Sequence, residues 1–298
     1  MKWPLRLVQA VLLAAAGASA CGQQTGHYVG GATGIKTGSL PPPGFYFRSE
    51  NLLYHANELR DRNGQKLGVD LDLTVFASAE RFIWMTPKEI LGAQFGVQSI
   101  IPFVYSDIEL GGLGVQESRF GLSDVFFEAL LSWRWSQLDL GVGYGFFAPT
   151  GEFDRSRLAS PGKGFWTGML SFGGTYYFDA GKTWAFSILN RFETHSRNDE
   201  IAITPGLNFS FEWGLSKNVR KIVDLGVVGY SQWQLTDDSG VGVTYDRTVH
   251  DRVFGIGPEI SVFIPRATLI VSLRHLREFE AIDRAQGHMT TLSISKRF

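Results

Sequence analysis

From Phe45 to the C-terminus, apolar and polar residues alternate. "VDLDLTVFASA" puts Val69, Leu71, Leu73, Val75 and Ala77 on one face, and Asp70, Asp72, Thr74 and Ser78 on the other. "QLDLGVGYGFFA" sets Leu138, Leu140, Val142, Tyr144 and Phe146 against Gln137, Asp139, Gly141, Gly143 and Gly145. "ITPGLNFSFEWG" and "VDLGVVGYSQWQL" repeat the pattern with Leu207, Phe209, Phe211 and Trp213, then with Leu225, Val227, Trp233 and Leu235. A period of two predicts strands, not helices. The alternation runs for about ten residues or more, the length a tilted strand needs to cross a bilayer. Strands of soluble proteins average about five or six residues.

The connections alternate between short and long. Short turns are predicted near residues 86–89, 135–137, 179–182, 216–220 and 265–267. Longer polar loops are predicted near 58–66, 109–119, 150–163, 195–200, 236–248 and 280–287. That spacing predicts an all-β fold, a transmembrane antiparallel β-barrel of about 12 strands. Short periplasmic turns and longer extracellular loops are the outer-membrane pattern. Aromatics such as Trp84, Trp133, Trp166, Trp184 and Trp233 fall near strand ends, as interfacial girdles would place them.

The two termini fit that reading. "MKWPLRLVQAVLLAAAGASACGQQ" has Lys2 and Arg6, a short apolar run, and Ala18-Ser19-Ala20. These are the parts of a secretory signal, residues 1–20. Cleavage after Ala20 leaves Cys21 first in the mature chain. Cys21 is the only cysteine, so it forms no intramolecular disulfide and is a candidate for lipidation. The C-terminal "HMTTLSISKRF" puts Leu292, Ile294 and Phe298 on one parity. A terminal apolar strand has a free edge unless a closed barrel pairs it with the first strand, here from Phe45 to about Tyr54. Between signal and barrel lies a Gly/Pro-rich lead, residues 21–43, expected as either a plug in the barrel mouth or a periplasmic tail.

Charge and motifs narrow the chemistry. The net charge is −1, which makes no case for nucleic acid. No G-x-S-x-G, H-E-x-x-H or CxxC motif occurs, and "GGATGIKTGS" fails the phosphate-loop spacing because Ile35 separates Gly34 from Lys36. No catalytic residue, cofactor or metal is expected. Strand parity explains Asp70 and Asp72 without a metal. The parity opposite the apolar face carries the candidate lumen-lining set: Glu80, Glu128, Arg134, Asp139, Arg191, Glu193, Glu212, Asp224, Glu259, Arg274 and Arg297. Both signs are present, so an ion-pair network is expected in place of a one-sign selectivity ring.

Several stretches resemble a bacterial outer-membrane transporter family known as "protein involved in meta-pathway of phenol degradation". They are "GGATGIKTGSLPPPGFYFRSENLLYHA" (30–56), "FFAPTGEFD" (146–154), "GKGFWTG" (162–168), "ITPGLNFSFEWGLSK" (203–217), "LGVVGYSQWQLTDD" (225–238) and "FGIGPEISVF" (254–263). That family is distantly similar to fatty-acid and toluene uptake barrels. The resemblance implies residence in the outer membrane of a Gram-negative bacterium and passive uptake of small organic solutes, aromatic or apolar. Its partners would be outer-membrane lipid and the barrel-insertion machinery. Phe298 resembles the terminal aromatic that this machinery reads, although Lys296 departs from the usual apolar residue. Two alternatives stand beside this reading. One is an outer-membrane enzyme acting on lipid, and the other is a structural or adhesive barrel working through its loops.

Overall fold

The computed structural model describes residues 25–298. Thirteen strands build one antiparallel sheet: β1 (Gly44–Leu59), β2 (Leu71–Ile90), β3 (Ala93–Leu110), β4 (Val115–Leu122), β5 (Val125–Arg134), β6 (Leu138–Ala148), β7 (Thr167–Tyr177), β8 (Trp184–His195), β9 (Asn208–Val219), β10 (Val223–Gln234), β11 (Arg252–Ile264), β12 (Leu269–Ile282) and β13 (Ala285–Arg297). β4 and β5 are two lengths of one stave. β4 pairs with the outer part of β3 (Phe103↔Leu122 to Leu110↔Val115), and β5 pairs with its inner part (Gln94↔Ser132 to Ile100↔Phe126). The staves therefore number twelve, as the alternation predicts. β1 pairs with both β2 and β13, so the sheet closes on itself. Closure pairs every strand but β4 on both edges, and β4, which pairs only with the outer part of β3, lies at the outer end. The spanning part of the sheet therefore offers lipid no edge, which is what a bilayer demands of a sheet. Among the described residues no helix is long and apolar enough to cross a membrane.

The closing seam runs from Tyr46↔Arg297 to Leu59↔Ala285. Phe298 completes it by donating its N–H to the Phe45 carbonyl (3.0 Å), with the two rings 5.9 Å apart. The bulky last residue thus caps a paired strand.

Four predicted connections are corrected. At 216–220, read as a turn, β9 stays paired through Val219 and the turn is 220–222, with Arg220 and Lys221 at positive φ. Residues 109–119, read as a loop, are the tip of the β3–β4 hairpin and turn within Gly111–Gly114, where Gly114 takes φ 62°. Residues 280–287 are mostly ladder, with a two-residue turn at Asp283–Arg284. The turn read at 86–89 falls later, at Leu91 and Gly92, both at positive φ. At 109–119 and 280–287 polar residues mark exposed strand that stays paired, whereas at 86–89 the β2–β3 ladder is interrupted after Met85 and resumes at Glu89↔Gln94 before the chain turns.

Parity is the larger correction. On β6 to β13 the apolar parity faces out, with Val142, Leu170, Leu225, Ile260, Leu273 and Leu292 exposed for lipid. On the outer half of β2 it faces in. Leu71 and Leu73 are buried with Ala56, Leu59, Ile108 and Leu110, while Asp72 points outward. β2 has 20 residues, about twice what a span requires. Its outer half stands clear of the bilayer, so its apolar side turns toward neighbouring strands and its polar side toward water.

Candidate functional site

The lead, residues 25–43, runs down the inside of the barrel. At the end bearing the long connections, Lys163 donates to the Thr25 carbonyl (3.1 Å) and hydroxyl (2.9 Å). At the end bearing the short turns, Arg134 donates to the Leu40 carbonyl. Long connections mark the outer face, so the lead passes from the outer mouth to the periplasmic rim.

Most of its backbone forms no ladder, so its buried N–H and C=O groups need other partners. The wall supplies carboxylates. Glu193 accepts the N–H groups of His27 (2.9 Å) and Tyr28 (3.0 Å). Glu212 accepts those of Gly31 (3.1 Å) and Thr33 (3.3 Å), together with the hydroxyls of Tyr28 and Thr33. Glu259 accepts the Ile35 N–H (3.0 Å). Lys36 pairs with Asp224 at 2.8 Å, and Ser39 donates to Asp139 at 2.9 Å. In the other direction, Arg274 donates to the Ala32 carbonyl (2.8 Å) and Gln232 to that of Tyr28 (2.9 Å). Hydrogen bonds with an ionised partner are roughly twice as strong as neutral ones, so this row of carboxylates is a strong seat.

Cations keep those carboxylates paired. Arg274 lies 3.0 Å from Glu259, and Arg191 lies 3.7 Å from Glu212 with its guanidinium 4.0 Å from the centre of the Tyr28 ring. Glu50 lies between Arg48 (3.0 Å) and Arg81 (2.9 Å). The glycines of the lead permit the approach. Gly34 sits at φ +77°, and a Cβ there would lie 2.0 Å from Arg274 Nη1 and 2.1 Å from Glu259 Oε2.

His27 anchors the outer end. Its Nε2 is 2.8 Å from Asp124, and its Nδ1 is 2.7 Å from the Thr167 hydroxyl, which is also 2.7 Å from His195 Nδ1. The His27 ring stacks on Phe147, with centroids 4.8 Å apart. Burial holds the imidazole below its ordinary value of 6.5, opposed by the hydrogen bond to Asp124. Burial also lowers Lys163.

The lead divides the lumen. Above it lies a cavity of about 340 Å³. Leu52, Tyr54, Leu73, Val75, Ala77 and Val104 form one wall, and His27, Tyr28, Glu193, Lys163 and Gln232 lie on another. Below it a cavity of about 130 Å³ is lined by Thr33, residues 35–41 of the lead, Arg48, Arg81, Gln98, Glu128 and Arg191.

Of the candidate lumen set, Glu193, Glu212, Asp224, Glu259, Arg274, Arg134 and Asp139 touch the lead directly. Arg191 stacks on Tyr28. Glu128 faces inward and accepts from Gln98 and Ser171. Arg297 sits at the periplasmic rim and donates to the Pro43 carbonyl (3.0 Å). Glu80 is a correction. It shares parity with the exposed Phe76, Phe82 and Trp84, faces outward, and accepts from Ser49 (3.0 Å) and Ser78 (2.9 Å). Its neighbour Arg81 is the inward residue, on the same parity as the buried Leu71, Leu73, Ile83 and Met85. Arg48, Glu50 and Arg81 escape sequence reading because Phe45, Tyr46 and Phe47 place aromatics on both parities at the start of β1. Asp124 escapes because it sits in the break between β4 and β5. Ser272 and His275 lie on opposite faces, Ser272 bonding Ser261 (2.8 Å) inside and His275 bonding Thr290 (2.9 Å) outside. The signal segment and Cys21 fall outside the described residues.

A closed twelve-stave barrel with an apolar outer belt and a polar lumen is a transmembrane barrel of the outer-membrane class. The chain belongs to the family described as "Putative MetA-pathway of phenol degradation", whose profile matches residues 56–294. Among solved structures it is similar to the COG4313 outer membrane channel from Pseudomonas putida F1. The two are 16% identical, with a TM-score of 0.77 and coverage of 91% of this chain and 100% of that one. The translocator domain of the autotransporter NalP from Neisseria meningitidis is 10% identical, with a TM-score of 0.52 and coverage of 87% and 90%. At these identities the likeness is one of fold. No curated protein matches the chain.

Proposed function

We propose that this protein is an outer-membrane channel for passive uptake of small organic solutes, aromatic or apolar, with its own N-terminal lead as an internal plug. The observation that carries the proposal is the lead seated across the lumen beneath an outer chamber with an apolar wall. Solute leaves water for the Leu52–Leu73–Val75–Val104 side of the chamber, where burying apolar surface favours it by roughly 25 cal/mol per Å². Onward passage requires the lead to shift along its row of carboxylates. No cofactor takes part, and the gradient supplies the driving force. The similar solved protein called an outer membrane channel supports this reading by fold alone. Assembly would rest on Phe298 as the terminal aromatic presented to the insertion machinery.

Flux into proteoliposomes tests it. A small aromatic solute should enter faster than a sugar of similar size, and Leu73→Gln with Val75→Gln should lower aromatic entry several-fold while sparing the sugar. Equal entry of both solutes into vesicles with and without protein contradicts the proposal.

A further inference from the structure

The outer surface carries a second arrangement of polar groups, unrelated to the lumen. Along the outer ends of β8 to β12 an aromatic ladder faces lipid. Phe192 and Phe209 lie 4.6 Å apart, Phe209 and Trp233 5.5 Å, Trp233 and Phe254 5.5 Å, and Phe254 and Phe279 5.7 Å. Such a belt marks the headgroup level of a membrane.

At Phe279 the aromatics stop. The adjoining outward positions are basic and lie opposite one another in register: Arg277 on β12 faces His288 on β13, which faces His55 on β1. His275, one outward position below Arg277, adds a third ring. The His55–His288 and His275–His288 centroids are 5.5 and 5.6 Å apart. His275 and His55 are oriented by hydroxyls, at 2.9 Å from Thr290 and 3.2 Å from Thr74. Arg277 and the His288 ring nitrogens have no ion pair or hydrogen bond among the described residues. Asp72, 3.7 Å from His55, closes the patch on the β2 side, so its open end is Arg277 with His288. Leu273, Leu292 and Leu53 lie directly below, exposed and apolar.

An unpaired guanidinium and a row of imidazoles just above an apolar wall match a group with charge at its head and chains beneath it. A guanidinium presents paired N–H donors to phosphate oxygens. We infer that Arg277, His288, His275 and His55 form a binding site on the outer wall of the barrel for the phosphate of an outer-leaflet lipid, whose chains lie along Leu273, Leu292 and Leu53. The site is independent of transport through the lumen.

Native mass spectrometry of the whole mature protein in neutral detergent tests it. The probes are diphosphorylated lipid A, the same lipid after phosphate removal, and inorganic phosphate. Arg277→Gln combined with His288→Gln should weaken retention of the diphosphorylated lipid roughly tenfold, the loss of about 1.4 kcal/mol. Arg266→Gln, on the periplasmic turn, should leave it unchanged. Heat-modifiable migration on gels confirms that each variant is folded. Equal retention of the dephosphorylated lipid, unaltered retention by the double variant, or competition by inorganic phosphate at similar concentration would each overturn the site as a lipid site.

Discussion

Glu259 and Arg274 face each other across β11 and β12, and the Glu259 oxygen 3.0 Å from Arg274 Nη1 also accepts the Ile35 N–H at 3.0 Å. One buried ion pair therefore serves two purposes. It neutralises charge inside the wall, and it holds the lead. A pair of this kind contributes little net stability to the barrel itself, because desolvation offsets attraction. Its value lies in the backbone it fixes.

Gly34→Ala tests that contact. The added methyl meets the ion pair, and φ +77° is unfavourable for alanine, at a cost of about 1–3 kcal/mol before the clash is counted. The lead should release while the barrel stays folded. Trypsin should then cut at Lys36 in folded protein at least tenfold faster than in the parent. Unchanged cleavage would mean that Gly34 is not a contact point.

Seating of the lead should depend on pH through His27. Burial depresses its pKa below 6.5, so the seated lead binds fewer protons than a released one. Seating is at full strength above 6.5 and weakens as pH falls through that value toward the depressed one. The groups facing His27 are Asp124, Thr167, Phe147 and Phe165 around its ring and Glu193 at its N–H, with Lys163 adding like charge. Hydrogen exchange of residues 27–35 should therefore be faster at pH 5 than at pH 7.5, after correction for intrinsic rates. His27→Gln should flatten that difference, and a difference that survived the substitution would place the titration elsewhere.

Glu80 offers a test of strand parity. It faces the outer wall, so Glu80→Leu should be neutral or stabilising by about 1 kcal/mol or less in lipid. Arg81→Leu should destabilise by about 1–3 kcal/mol, because Glu50 loses one of its two cations and keeps only Arg48. Thermal midpoints of folded-band migration for the two variants should move in opposite directions, or only that of Arg81→Leu should move. A reversed order would put Glu80 inside.

These contrasts show what the sequence made legible. From β6 onward a two-residue period met lipid on one side and the lumen on the other, so Glu193, Glu212, Asp224, Glu259 and Arg274 could be placed from parity. It is broken inward at Val228, Tyr230, Leu276 and Met289, and outward at His275, Arg277 and His288. The period was equally clear on β2, but its sense was reversed, since alternation alone does not say which medium lies on which side. Leu71 and Leu73 turn inward because their half of the strand stands above the membrane. The hairpin at Gly111–Gly114 was hidden by its polar, glycine-rich composition. The path of the lead was hidden for a different reason. Its seat is assembled from carboxylates on five strands, β6 and β8 to β11, and the lead itself shows only the glycines that let it approach.

Single-channel recording in planar bilayers bears most directly on the central claim that the lead occludes the lumen. The protein should be compared with a variant lacking residues 25–41. Long closed periods in the parent, and sustained conductance in the folded variant, are expected. Equal, stable conductance from both would contradict the claim and leave the lead as a lining of an open pore.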